Sequence, residues 1–406
     1  FTMGDISPRR RSQERSEAGS PRSASLIGGL VETIQLGEVL DPKFTLKRFL
    51  STRSVVSTFS SFAERQQAVV RTRSEFRAIG AGTCGTVFEV PGTTDAFKVA
   101  NNPGGHTDKL WNDFQMHLRV SEAFDTIGRE KLAVHVPIIK YFVSSKDSEW
   151  WGENMDRFPQ KYQSQSNLLC AERILPLAKL IRESLVDTYC PPSLVKEIKG
   201  SPSNKDCLVR IYLGKRKERI SKFFQLRNFL LHLDQMEELE LDTADFATHI
   251  ADALAVMHWR VGIDANDVEF VLGSAPYRVA NPAQIISKPP TVKQIKSMPP
   301  NTSTWASHND DFKRQITHIW LLDFNRCEDF FLNQSGIEKL VAAFFRNDPY
   351  YPRPHGATTK DQNLWATFRN RYIATSQAHV DKEHYHLPKL FIDTVAEEQR
   401  KRMKKK

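Results

Sequence analysis

Three glycines and one lysine are the residues whose types and spacing most clearly suggest chemistry. Gly80, Gly82 and Gly85, followed by Val87, give the pattern G-x-G-x-x-G-x-V. Because glycine has no Cβ, backbone N–H groups beside it can approach a phosphate closely. Lys98 follows the last glycine by 98 − 85 = 13 residues and supplies a positive charge. This combination predicts a site for a phosphorylated ligand.

The residues after the glycines decide between two kinds of glycine loop. A dinucleotide-binding loop is followed by a helix, with an acidic residue about 20 positions later. Here the sequence Thr86–Val90 is typical of a strand. A strand after the glycines and a lysine on the next strand are similar to the nucleotide loop of protein kinases, where Ala96 would contact the adenine. A plain glycine hairpin is the alternative.

A kinase holds this lysine with an acidic residue on the following helix. Residues 109–124 have the spacing of an amphipathic helix. Asp113 is the preferred acid, because it would face the sheet while Phe114 packs. Asp108 and Glu122 are alternatives, since any of the three could be a solvated helix charge.

Two further acids follow the helix predicted over 242–260. Asp264 aligns with the catalytic-base aspartate of kinases, and Glu269 with their metal-binding asparagine, at the family spacing of 269 − 264 = 5. The His-Arg pair that precedes the kinase base is missing. Glutamate can bind Mg²⁺ through oxygen but brings an additional negative charge.

Asp323 ends a hydrophobic strand and begins Asp-Phe-Asn, where kinases have Asp-Phe-Gly. It is the predicted main Mg²⁺ ligand. It follows Asp264 by 323 − 264 = 59 residues, and a proline-rich stretch accounts for this long separation. No Ala-Pro-Glu segment follows, so substrate docking as in protein kinases is in doubt.

These residues need a defined order of elements to bring them together. Periodicity predicts a three-strand meander over 76–100, strands at 135–142, 168–174 and 316–323, and helices at 109–124, 175–187, 242–260, 336–345 and 361–375. The fold class is therefore predicted to be α+β, as a two-lobed protein-kinase-like fold with disordered basic tails. An antiparallel sheet plus one helix would form the N-lobe, and helices the C-lobe.

The predicted organisation has four parts. Residues 1–62 are a disordered or loosely attached basic lead-in, 63–174 the N-lobe, 175–380 the C-lobe, and 381–406 a basic C-terminal tail. An exposed proline-rich insertion, 274–312, lies within the C-lobe.

Composition narrows the class of protein. The 406 residues are 40% hydrophobic and 26% charged, near the globular average, and no apolar run approaches the ~20 residues of a membrane helix. Five cysteines without a close pair predict a reducing compartment, so an intracellular, cytoplasmic or nuclear, location is expected. The net charge of +9 comes largely from the termini. Nucleic acid could therefore bind only through the basic tails, and no membrane partner is expected.

The sequence also resembles an uncharacterised fungal family of domain-of-unknown-function proteins, often called "zinc finger protein". The resemblance covers about 75–375 and rests on four motifs: Leu110–His117, Asp267–Gly273, Trp320–Asn325 and Asn347–Pro354. It implies no reaction. No structural zinc is expected, because the chain lacks the paired cysteines and histidines of a zinc finger.

Two functions are compatible with these patterns. The first is a kinase-like nucleotide-binding protein, either an atypical phosphotransferase or a pseudokinase, with ATP and Mg²⁺ as cofactors. The second is a non-catalytic scaffold that contacts unknown protein partners through its basic tails and proline-rich loop.

Overall fold

The computed structural model describes residues 41–52, 55–57, 74–101, 109–128, 131–217, 224–277, 311–347 and 349–405. These belong to one compact unit, Glu32–Lys406. Its strands are β1 (Val55–Ser57), β2 (Arg77–Ala81), β3 (Gly85–Glu89), β4 (Asp95–Ala100), β5 (Val134–His135), β6 (Ile139–Val143), β7 (Leu168–Glu172), β8 (Val209–Tyr212), β9 (Phe229–His232), β10 (Glu269–Tyr277) and β11 (Asp311–Leu322). Its helices are α1 (Pro42–Phe49), α2 (Leu110–Ile127), α3 (Ser148–Asn154), α4 (Lys179–Tyr189), α5 (Val195–Gly200), α6 (Leu233–Glu238), α7 (Thr243–Ala255), α8 (Gln334–Arg346), α9 (Thr359–Gln377) and α10 (His386–Lys404). The elements confirm a mixed α+β fold.

The first sheet contains the predicted meander, β2-β3-β4, and continues through β7 to β6 with every pairing antiparallel. Alternate residues of a strand face opposite sides. On one side Phe97 packs with Phe88 and Trp151 in an aromatic core. On the other side Ala100 packs against Leu110 of α2, so Lys98, two residues earlier on β4, faces that helix.

The second sheet is built around a long hairpin and has the order β1-β11-β10-β8-β9, with β5 paired to β11. It is mixed, because β8–β9 and β5–β11 are parallel pairs. The β10–β11 register pairs Glu269 with Leu322, the residue before Asp323. The hairpin therefore places Glu269 beside Asp323 although 54 positions separate them in the sequence.

The main core lies between this sheet and the helices. α7 packs closely against α9, and Asp242 accepts a hydrogen bond from Asp245 N to begin α7. A π-helical turn, Val256–Val261, follows it. Tyr372 of α9 anchors this turn, because its buried hydroxyl bonds to both His258 Nδ1 and Trp259 Nε1.

The prediction of a disordered basic tail over 381–406 is wrong for the described residues. Residues 386–404 form α10, and Leu387, Phe391, Ile392 and Val395 are buried in the core. Their spacing makes an apolar stripe along one face of a helix, which the surrounding charges obscure in the sequence.

The structure also corrects parts of the predicted lead-in and of the predicted insertion. Residues 1–40 and 58–73 lie outside the described residues, but α1 buries Leu46 and Phe49, and β1 pairs with β11. The described residues of the lead-in are therefore packed rather than loosely attached. Of the proline-rich insertion, residues 278–310 lie outside the described residues, while its predicted ends, 274–277 and 311–312, belong to β10 and β11. The region predicted to be a helical lobe also contains the second sheet.

Candidate functional site

The glycine loop joins β2 to β3 and is fixed at its base. Gly82 N donates to Gly85 O at 2.9 Å, and Asn101 Nδ2 donates to Gly82 O at 2.9 Å. A Cβ at Gly85 would lie 2.7 Å from Val99 O, so close strand packing requires glycine there. A Cβ at Gly82 would approach other atoms no closer than 3.9 Å, so packing does not require the second glycine.

Lys98 lies at the centre of the site, between two carboxylates. Its Nζ donates to Asp113 Oδ2 at 2.6 Å and to Asp323 Oδ1 at 2.9 Å, with 18% of its side chain exposed. Burial by itself lowers the pKa of Lys98, but the attraction of the two carboxylates outweighs it and raises the pKa above its usual value. Of the alternative acids, Asp108 lies outside the described residues and Glu122 is exposed.

Helix α2 also holds the segment after Asp323. Asp113 Oδ1 accepts a hydrogen bond from Phe324 N at 3.0 Å, while its other oxygen accepts one from Lys98. The neighbouring Asn112 donates to Asn325 O and Cys327 O at 3.1 and 3.0 Å. One turn of α2 thus fixes both Lys98 and the Asp323 loop.

Asp323 itself has left-handed backbone, with φ 68°, which turns the chain sharply at the end of β11. Asn325 Nδ2 donates to Asp323 Oδ1. The other side-chain atom of this buried asparagine, Oδ1, has no hydrogen-bond partner within the described part of the chain. A buried oxygen without a partner next to a carboxylate suits a cation or a bound water.

Glu269 has its own counter-cation. Arg210 Nη2 lies 2.5 Å from Glu269 Oε1. Burial raises the pKa of Glu269 to about 7, against the lowering effect of Arg210. The nearby Asp323 and Asp267 also contribute to this rise in the pKa.

Asp264 does not line the cavity. It is 2% exposed, and its Oδ1 accepts hydrogen bonds from Asn266 N at 3.1 Å and Glu328 N at 3.0 Å. Burial raises its pKa, and the two backbone donors oppose that shift. Asp264 thus links its own loop to the segment that contains Glu328.

Asp267, which the sequence reasoning did not select, lines the cavity instead. Its side chain is 46% exposed, and Arg326 Nε lies 3.3 Å from its Oδ2. Its backbone is left-handed, with φ 67°. The pair Asn266-Asp267 was the feature of the sequence that could have indicated this. Asparagine and aspartate tolerate left-handed backbone, so a short loop can turn at these residues.

One cavity of about 510 Å³, within the usual size range of small-molecule sites, connects most of these residues. Every sequence-predicted site residue except Asp264 lines it: Gly80, Gly82, Gly85, Val87, Ala96, Lys98, Asp113, Glu269 and Asp323. Leu169, Leu208 and Val271 contribute apolar side chains to the cavity wall. The segment Glu172–Ile174, at the end of β7, also lines the cavity.

Residues 319–384 match the model of DUF3669, a family of unknown function described as "zinc finger protein". The match confirms the family resemblance and includes two of its four motifs, Trp320–Asn325 and Asn347–Pro354. No curated protein matches the sequence.

Within the described ranges, no three or more histidine, cysteine, aspartate or glutamate side chains are grouped to hold a metal ion. The helices of those ranges include none long and apolar enough to cross a membrane.

Proposed function

We propose that this chain is a kinase-like nucleotide-binding protein, an atypical phosphotransferase or a pseudokinase derived from one, with a two-lobed kinase-like fold. The observation that carries the proposal is the contact of Lys98 Nζ with both Asp113 and Asp323 at a cavity covered by the glycine loop. A lysine that is charged, partly buried and fixed by a helix is suited to bind the phosphates of ATP.

The cavity has an apolar end for a planar base. Val87, Ala96 and Leu169 line it, and their aliphatic side chains are of the kind that lines small-molecule pockets. Ile174, two positions after β7, lines the cavity beside them. Adenine therefore fits beside β4 and β7, with the phosphates under Gly80–Gly85.

The acidic end has the ligands that Mg²⁺ prefers. Asp323 and Glu269 offer carboxylate oxygens, and the unpartnered Asn325 Oδ1 offers an amide oxygen. Two protein ligands suffice for Mg²⁺, because phosphate oxygens and waters complete its shell. When bound, the ion would offset the negative charge of the phosphates. Asp264 remains the predicted base from sequence, although its carboxylate lies outside the cavity wall.

A second candidate is a non-catalytic interaction scaffold, and the Arg210–Glu269 ion pair favours it. A carboxylate that already has a cation at 2.5 Å gains less from binding a metal than a free one does. In this version, the carboxylate cluster has a structural role and partners bind elsewhere.

A thermal-shift titration with ATP, with and without Mg²⁺ or Mn²⁺, tests the first proposal. A ligand present at 100 times its Kd stabilises the folded state by about 2.7 kcal/mol, which a melting scan detects. We expect a metal-dependent rise in Tm that is lost in Asp323→Asn and reduced in Lys98→Ala. Lys146→Ala, at an exposed lysine, and Asp329→Asn, at an exposed aspartate, are matched controls and should retain the shift. No shift with either metal at millimolar ATP would favour the scaffold.

A further inference from the structure

The loop between the π-helical turn and β10 carries two aspartates with different surroundings. Asp264 is almost fully buried and bonds to the backbone of Asn266 and Glu328, whereas Asp267 is half-exposed on the cavity wall. Only three positions separate them. The backbone between them must therefore determine which carboxylate a bound ligand meets.

That backbone turns sharply. Ala265 has φ 51° and Asp267 has φ 67°, so two non-glycine residues adopt left-handed conformations within three positions. Such conformations are unfavourable for residues with a side chain, and alanine lacks the short polar side chain that lets aspartate tolerate them, so they persist where surrounding contacts fix them.

Asn347 supplies those contacts. Its Nδ2 donates to Ala265 O at 3.0 Å and to Val268 O at 3.2 Å, and its Oδ1 accepts a hydrogen bond from Asp267 N. Its side chain thus holds the turn on three main-chain atoms. The residue is 3% exposed and is itself fixed, because its N–H caps α8 by donating to Ala343 O. The motif Asn347–Pro354, so far without a role, begins with this residue.

We propose that Asn347 is the positioning residue of the site, and that it presents Asp267, rather than Asp264, to the bound ligand. The Asp267 carboxylate is a hydrogen-bond acceptor for a hydroxyl group of the phosphoryl acceptor. Asp264 has a structural role, holding this loop to the segment after Asp323. The identity of Asp267 as a ligand contact rests on the proposed function, whereas the positioning by Asn347 is a property of the fold.

Hydrogen exchange tests the positioning without any ligand. We expect Asn347→Ala to speed amide exchange in the peptide 262–270 by a factor on the order of ten, the effect of losing one or two hydrogen bonds. Asn333→Ala is the matched control: Asn333 caps the opposite end of the same helix through Gly336 N and does not contact the loop. It should leave that peptide unchanged even if it lowers Tm. Unchanged exchange in Asn347→Ala would overturn the inference.

If Asn347→Ala does not fold, Asn347→Asp serves instead. It keeps the size and the Oδ1 acceptor but places a carboxylate oxygen opposite Ala265 O and Val268 O, which should also speed exchange in 262–270. A folded Asn347→Asp protein with wild-type exchange would contradict the role assigned to the amide.

Carboxylate labelling with a carbodiimide and an amine tests which aspartate meets the ligand. In the wild type, mass spectrometry should find Asp267 modified and Asp264 protected, and Mg²⁺–ATP with a hydroxyl acceptor such as glycerol should reduce labelling of Asp267. A protein that shows the Mg²⁺–ATP melting shift but whose Asp267 is labelled equally with and without these ligands overturns the ligand role and leaves the proposed function standing. Absence of the melting shift overturns the proposed function, while hydrogen exchange still decides the role of Asn347.

Discussion

Arg210 and Glu269 form an ion pair, with Nη2 2.5 Å from Oε1, at the edge of a cavity that also contains Asp267 and Asp323. Glutamate at this position adds a negative charge to a cluster that is already acidic. Arg210 on β8 lies where it can offset that charge, because β8 pairs with β10 and places Arg210 opposite Val271. Glu269 and Arg210 are therefore parts of one electrostatic arrangement.

Arg210→Met should destabilise the protein more than the double variant Arg210→Met/Glu269→Gln. Without the guanidinium, the partly buried Glu269 is left beside two other carboxylates with no counter-cation, and we expect a loss of about 2 kcal/mol in the free energy of unfolding. Urea denaturation of both variants and of Glu269→Gln gives the double-mutant cycle. Lys389→Met, which breaks an exposed pair with Asp393, is the control and should cost almost nothing. Equal losses in the single and double variants would contradict the pairing.

Two buried histidines should make the protein sensitive to mild acid. Burial lowers the pKa of His117 to about 4 and that of His258 to about 3. Between pH 6.5 and about 4 the unfolded chain takes up these protons and the folded one does not, so stability falls as the pH falls. At pH 5 each histidine should cost about 2 kcal/mol relative to pH 7.5.

His117→Gln isolates one of these contributions. His117 Nε2 donates to Pro137 O at 2.7 Å, and a glutamine amide can also donate to that oxygen without taking up a proton. We expect the slope of unfolding free energy against pH, measured in urea between pH 5 and 6, to decrease by about one proton equivalent. A slope equal to that of the wild type would mean that His117 titrates normally in the folded state.

Local patterns in the sequence were sufficient for the elements that carry Lys98, Asp113 and Asp323. The meander, α2, α7, α8, α9 and the end of β11 were predicted, because each has a clear alternation or a clear helical face. The choice between Asp264 and Asp267 was not predictable in this way. It depends on a left-handed turn that Asn347 holds from 80 residues away. The C-terminal helix was missed for a different reason: its four core residues come shortly before the basic run at 400–406, and only contact with the core distinguishes the segment from a solvated tail.

Phe391→Ala should therefore be strongly destabilising, although it lies in a segment with the composition of a basic tail. Phe391 is fully buried and packs against His258, Phe344 and Tyr372. Truncation to alanine should lower the free energy of unfolding by about 3–5 kcal/mol. Lys389→Ala on the exposed face of α10 is the control, and thermal or urea denaturation is the measurement. If Phe391→Ala is as stable as this control, α10 does not contribute to the stability of the core.

Asp264→Ala should separate stability from ligand binding. Asn266 N and Glu328 N would both lose their acceptor, and we expect a loss of about 2 kcal/mol in the free energy of unfolding. The upward shift of Tm caused by Mg²⁺–ATP, measured against the variant's own baseline, should persist because Asp264 does not line the cavity. Loss of that shift in a folded Asp264→Ala protein would indicate that this residue acts on the nucleotide.

The β10–β11 hairpin brings Glu269 and Asp323 close together in space although they are far apart in the sequence. Glu269 and Asp323 lie at its open end, while the chain between Tyr277 and Asp311 leaves from its far end, eight residues or about 26 Å away along β10. A change in the length of the segment between Tyr277 and Asp311 therefore need not move either carboxylate. A search for related chains is therefore better anchored on the two paired strands than on a fixed interval between the two acids. The same position is a natural point at which to splice a fluorescent reporter into the protein.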